Sequence, residues 1–157
     1  MAEPLSVIAS AIAVIATSAT CAKTLLRIIK DLRDAPDDLL VLSNEVTDIT
    51  CIVVEAKEVC EGLASDDSSN PKLIETLEGL LKEAEGVLGD LTDMVSKYKS
   101  KLQILDQSVW WLRQKSTAKK YIMKLQDIRT KITELLNSKT RPVNLFFKFN
   151  TLRTISG

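Results

Sequence analysis

The chain has 157 residues, 45% of them apolar and 27% charged, with five glycines and four prolines, the balance of one globular, helix-rich domain with room for a real core. It contains no histidine, which excludes His-based triads, imidazole proton relays and His-containing zinc sites. Its 21 basic and 21 acidic side chains cancel, yet by position residues 1–34 carry four basic and three acidic groups (net +1), residues 35–96 three and fifteen (−12), and residues 97–157 fourteen and three (+11).

The first predicted helix begins at Pro4 and has no charge through Ala22. At about 1.5 Å per residue this stretch just reaches across a roughly 30 Å hydrocarbon layer. Ala, Ser and Thr fill most positions between Leu5, Val7, Ile8, Ile12, Val14 and Ile15, so it is only weakly apolar. Such a helix can be stored in protein or moved into lipid at modest cost. Met1-Ala2-Glu3-Pro4 lacks the basic region of a secretory signal, and basic residues begin only at Lys23. A permanent single-span anchor is the lesser expectation, because the small polar residues make spontaneous insertion marginal. Two apolar stripes run along the helix. Ile8, Ile12, Ile15, Ala19, Ala22, Leu26 and Ile29 step by three and four, and Val7, Ala11, Val14, Cys21, Leu25, Ile28 and Leu32 form the second. Its early half is therefore apolar almost all round, as in a helix central to a bundle or in a membrane. Asp34-Ala35-Pro36 ends it, since the residue before proline is pushed out of the helical region.

Pro36-Asp37-Asp38 opens the second helix with acids at its positive end. Its stripe is Leu39, Leu42, Val46, Ile49, Val53, Ala56, Cys60 and Leu63, and Gly62 with Ser65-Asp66-Asp67-Ser68-Ser69 forms a loop. Asn70-Pro71 starts the third helix as cap and first helical residue. Its stripe is Ile74, Leu77, Leu81, Ala84, Leu88, Leu91, Val95 and Tyr98, flanked by Leu73, Leu80, Val87 and Met94. Gly79, Gly86 and Gly89 either permit close helix approach or are merely tolerated, at about 1 kcal/mol each.

A short connecting helix is predicted around Asp106–Gln114, carrying Val109, Trp110, Trp111 and Leu112. Ser116-Thr117 then caps a fourth helix with the stripe Ala118, Tyr121, Leu125, Ile128, Ile132 and Leu135, stopped by Asn137-Ser138 and Arg141-Pro142. The fold class is thus all-α: an up-and-down four-helix bundle with a short extra connecting helix and an irregular C-terminal tail. Residues 1–138 form the domain and 139–157 the tail. Val143–Leu152 holds all three phenylalanines and has strong β-propensity. It reads as a self-associating strand, a lid on the bundle or a disordered end, and the last two are favoured because an isolated strand has no partner in a helical protein.

The charge asymmetry has two readings. The acidic middle helices lie against the basic final one, as a field of weak pairs. Alternatively, the basic half also faces an anionic membrane, with Lys97, Lys99, Lys101, Lys119 and Lys120 as lipid contacts. Nucleic-acid binding is not expected, since these cations are interspersed along a helix without a recognition motif. Cys21, Cys51 and Cys60 lack metal-type spacing and read as reduced, mostly buried thiols of an intracellular protein. Glu55, Glu58, Glu75, Glu78, Glu83 and Glu85 lie mainly off the stripes and read as a solvated face. No phosphate loop or dinucleotide fingerprint occurs. No catalytic residue, metal ligand or cofactor site is expected, and the chain reads as a non-enzyme.

The opening Met-Ala-Glu-Pro-Leu-Ser-Val-Ile-Ala-Ser-Ala-Ile-Ala-Val, then Ala22-Lys23-Thr24-Leu25, Asp34-Ala35-Pro36-Asp37-Asp38-Leu39-Leu40-Val41-Leu42, and Val109-Trp110-Trp111-Leu112 running into Lys115-Ser116-Thr117-Ala118, together resemble a fungal family. This is the fungal N-terminal domain found ahead of STAND-type NTPases and ankyrin arrays, allied to the HeLo and HeLo-like domains. The resemblance covers roughly residues 2–138. It implies a cytoplasmic helical-bundle signalling module, conditionally at the plasma membrane, whose oligomerisation exposes the first helix for insertion and triggers regulated cell death in non-self recognition. Leu5, Val7, Ile8, Ile12, Val14 and Ile15 would be the inserting residues. Membrane lipids, further copies of the chain and an NTPase or repeat-containing receptor would be the partners. The alternative expectation is an interaction adaptor whose first helix never leaves the core.

Overall fold

Local signals at the helix starts are the ones the backbone uses. The computed structural model describes residues 3–32, 36–64, 70–98 and 104–155, with the side chains of the last segment described over 109–138. Among the described residues there are four α-helices, α1 (Pro4–Asp31), α2 (Asp37–Ala64), α3 (Pro71–Ser96) and α4 (Ile104–Ile155), and no strand. Pro4 occupies the first turn of α1, where the Glu3 carbonyl accepts from the Ser6 and Val7 amides. Leu32 leaves the helical region at φ −83° and ψ 124° while its amide still bonds the Ile28 carbonyl. Asp37 and Asp38 lie in the first turn of α2, where the free amides favour negative charge. The Asn70 side chain accepts from the Leu73 amide at 3.4 Å, capping α3 ahead of Pro71. The expected loop at Ser65–Ser69 lies outside the described residues.

α2 and α3 bury the stripes their periodicity marks. Leu39, Leu42, Val46, Ile49, Val53, Ala56 and Cys60 are inside, with Leu63 half-buried, and the α3 stripe from Ile74 to Tyr98 is buried together with Leu73, Leu80, Val87 and Met94. Gly79 and Gly86 are exposed, and a Cβ built on either, or on Gly89, meets nothing within 4 Å. These glycines are tolerated on open helix faces and do not mediate close approach.

α4 departs from expectation. The connecting helix at Asp106–Gln114 and the separate fourth helix are one continuous element, and Ser116-Thr117 caps nothing. The reason is a single inward row, Trp111, Ala118, Ile122, Leu125, Ile128, Ile132 and Leu136, that runs through those polar residues unbroken. Tyr121 and Leu135 of the expected stripe are only half-buried, and their neighbours Ile122 and Leu136 take the core positions. The irregular tail is likewise corrected: helical backbone continues to Ile155. Proline removes its own amide and strains the preceding turn, but leaves later amides able to bond, so Pro142 does not forbid a helix that runs on past it.

α1 packs on α2 and α3, and α4 packs on the same two helices. α1 and α4 therefore occupy opposite corners, α2 and α3 the other two, and the step from α2 to α3 crosses the diagonal. All four helices contribute to one core cluster, from Val7 to Leu136.

Gly86→Ala should stabilise the protein by about 0.5–1 kcal/mol, because alanine relieves the entropic penalty of a helical glycine and clashes with nothing. A raised urea midpoint at unchanged slope is the expected result; a lowered one would mean that something closes on that face.

Candidate functional site

Three- and four-residue spacing gives α1 two distinguishable sides. The row Val7, Ala11, Val14, Ser18, Cys21, Leu25 and Ile28 is fully buried against α2 and α3. Ile8, Ile15, Ala22 and Ile29 are half-buried along its edges. The outward positions are Leu5, Ser6, Ala9, Ile12, Ala16, Ala19, Thr20, Lys23, Leu26, Arg27, Lys30 and Asp31, with Leu5 67%, Ile12 52% and Leu26 52% exposed. Of the two stripes read in the sequence, the one beginning at Val7 is the core row, and the one beginning at Ile8 lies along the edge and outside. The six proposed inserting residues divide accordingly: Val7 and Val14 are core, Ile8 and Ile15 are edge, and Leu5 and Ile12 face solvent.

The inner row carries small residues at Ala11, Ser18 and Cys21. Ser18 is the polar member. Its hydroxyl donates to the Ile15 carbonyl at 2.9 Å and its oxygen lies 2.8 Å from Thr50 Oγ1 on α2. Burial pushes the Cys21 thiol up to about 11, against the opposing pull of the Thr92 hydroxyl. At the start of α1, Ser6 donates to Glu78 of α3 at 2.8 Å, and this bond, with Lys82 beside it, holds the Glu78 carboxyl below the usual range. Thr17, Thr20 and Thr24 donate to the carbonyls four residues back, at 3.0, 3.2 and 3.1 Å. Within the charge-free stretch Thr17, Ser18 and Thr20 thus place their hydroxyls on carbonyls of the helix itself, which lowers the penalty of moving them out of water.

The lysines proposed to meet lipid are scattered. Lys99 and Lys101 lie outside the described residues. Lys119 and Lys120 are exposed on α4, at the corner opposite α1, so a membrane lying on the outer face of α1 is out of their reach. Lys97 is exposed at the end of α3, next to Tyr98, whose phenol is raised chiefly by burial, then by Asp31, and lowered by Arg27. It lies at the same end of the bundle as the basic end of α1.

The acidic and basic halves do meet inside the molecule. Lys115 pairs with Asp38 at 3.2 Å, and Arg129 grips Glu45 through Nε at 2.7 Å and Nη2 at 3.4 Å. Glu45 is only 4% exposed. The sequence reading missed it because an acid next to the Leu42–Val46 stripe looks solvated until a partner arrives from a helix 84 residues away. The other acids named above behave as expected, exposed or half-exposed.

Two open grooves flank α4. One of about 270 Å³ is lined by Asp48, Cys51, Ile52, Glu55, Arg129 and Thr133, the other of about 350 Å³ by Thr76, Leu80, Lys131, Glu134, Leu135 and Ser138. Among the described residues, no cluster of three or more Cys, Asp or Glu could hold a metal ion. Cys21 and Cys60 are buried and Cys51 is exposed. No protein-family model, curated protein or solved structure matches the chain.

Arg129→Ala should destabilise the bundle by about 1–3 kcal/mol, because the Glu45 carboxylate is left buried without its donor. Adding Glu45→Gln should recover part of that loss. Equilibrium urea unfolding of the single and double variants measures both, and strict additivity would show that the two groups do not depend on each other.

Proposed function

We propose that this chain is a non-enzymatic signalling module that associates conditionally with membranes through α1 and acts by self-association. The observation that carries this reading is the composition of α1 on its outer side. Among the described residues it is the one helix long and apolar enough to span a bilayer, and only 28% of its most apolar stretch is buried in the bundle. A core helix of a soluble domain would normally turn polar residues outward. The resemblance of the opening segment, of Asp34–Leu42 and of Val109–Ala118 to the fungal HeLo-like group points the same way. In that reading the module is cytoplasmic, moves to the plasma membrane when triggered by a STAND-type receptor or a relative of it, and leads to cell death.

The same reading takes the bundle as up-and-down. Ser6 meets Glu78 and Cys21 meets Thr92, so α1 and α3 advance together. Asp38 meets Lys115 and Glu45 meets Arg129, so α2 and α4 do likewise. Tyr98 stacks edge-on against Trp110 with centroids 5.3 Å apart, which sets the end of α3 beside the start of α4.

A second reading, an adaptor with α1 held permanently in the core, is favoured by the complete burial of Val7 and Val14. The position of Ile12 separates the two. Because Ile12 is half exposed, Ile12→Asp should leave folding stability within about 1 kcal/mol of wild type. It should still weaken vesicle binding by about tenfold or more, since an apolar contact is replaced by a charge at the interface. Vesicle flotation alongside thermal melting tests this. Unchanged flotation by a folded Ile12→Asp protein would remove α1 from the mechanism and leave the adaptor.

A further inference from the structure

The outward row of α1 changes character once. From Leu5 to Ala19 its exposed positions are apolar except Ser6, which donates to Glu78; Thr20 follows, and from Lys23 onward they are Lys23, Leu26, Arg27, Lys30 and the closing Asp31. No acid occurs between Glu3 and Asp31. Among the described residues Lys23, Arg27 and Lys30 make no ion pair; on α4 Lys115, Arg129 and Lys131 are each engaged by a carboxylate, while Arg113, Lys119, Lys120 and Lys124 are exposed without one. The outer face of α4 has exposed apolar residues of its own, Leu112 and Met123, but Asp127 and Glu134 are exposed on that helix too. Among the described residues, α1 is the helix in which such unpaired cations follow a long run without charge, Pro4 to Ala22. This is the pattern of a helix that lies along a lipid–water interface, its apolar side in the acyl boundary and its cations among headgroups.

Resting on the reading of α1 as the membrane element, we propose that its ligand is the surface of an anionic bilayer and that the bundle docks there intact. Leu5, Ile12 and Leu26 enter the interface, and Lys23, Arg27 and Lys30 take the lipid phosphates. Val7, Ala11, Val14 and Cys21 stay in the core throughout. Intact docking follows from the division of the helix: the outer row is already presented to solvent, so lipid can cover it without uncovering the inner one. The hydroxyls of Thr17, Thr20 and Thr24, bonded back into the helix, add little polar penalty at that depth. The chain is neutral overall, so no global charge draws it to an anionic surface, and a local group of cations has to do so.

The test uses the full chain with phosphatidylcholine vesicles, with and without phosphatidylserine. Wild type should prefer the serine-containing vesicles. Combining Lys23→Gln, Arg27→Gln and Lys30→Gln should remove that preference and weaken binding to them by about 100-fold, at roughly 1 kcal/mol for each lost cation. Combining Lys119→Gln, Lys120→Gln and Lys124→Gln should change neither. If the α4 set loses the preference and the α1 set keeps it, the proposal is overturned while membrane association survives. If wild type binds neither vesicle, membrane association itself fails. If Ile12→Asp dissolves a dimer seen by sedimentation and leaves vesicle binding untouched, a second copy of the chain covers this face and the proposal is wrong.

Intact docking has its own readout. The Ser18 and Thr50 oxygens lie 2.8 Å apart, within reach of a disulfide after replacement by cysteine. A Ser18→Cys, Thr50→Cys protein, made with Cys21→Ala and Cys51→Ser to prevent mispairing, should bind serine-containing vesicles equally well oxidised and reduced. Binding only when reduced would show that α1 must leave the bundle.

Discussion

The structure turns on the packing of α1 by one narrow row. Residues Pro4 to Ala22 carry no charge, so desolvation alone does not dictate which side of this helix must be hidden. The bundle hides the row from Val7 to Ile28 and leaves its apolar counterpart divided between the edge, at Ile8, Ile15, Ala22 and Ile29, and the outside, at Ile12, Ala19 and Leu26. Ala11, Ser18 and Cys21 are the small members of that buried row, interleaved with Val14 and Leu25. A helix held in this manner has an apolar side to offer a second environment while the first is kept.

Polar groups within α1 make the arrangement specific. An all-apolar interface would tolerate rotation or sliding, because hydrophobic contact is not directional. Ser18 against Thr50, and Ser6 against Glu78, fix α1 against both neighbours at one rotation and one height. The threonines along the helix instead bond their own carbonyls, so they neither tie α1 to the bundle nor resist transfer to a less polar medium.

The uneven charge along the chain is met first inside the molecule. α2 is acidic, α4 is basic, and the two are adjacent; Glu45–Arg129 and Asp38–Lys115 bridge them. This draws part of the basic half into the fold. It also separates two functions that the sequence allows together, since the corner occupied by α4 faces away from the one occupied by α1. Cations able to act beside the apolar row have to come from α1 itself or from the end of α3.

Much of the architecture was legible in the residues alone. Long runs of three- and four-residue spacing, the Asn70-Pro71 start and the acids opening α2 specify helices, because hydrogen bonding and dipole effects act within a few residues. The stripes of α2 and α3 also named their buried faces correctly, since each has one apolar side and one charged side. What the sequence left undecided were choices between local equals: which stripe of α1 goes inward, whether Ser116-Thr117 interrupts α4, and whether Glu45 is solvated. Only tertiary packing settles these, because each depends on what another helix, distant along the chain, brings to the same place: α3 and α2 against Val7–Ile28, a continuous core surface under Trp111–Leu136, and the Arg129 guanidinium beside a carboxylate that would otherwise have had to stay in water.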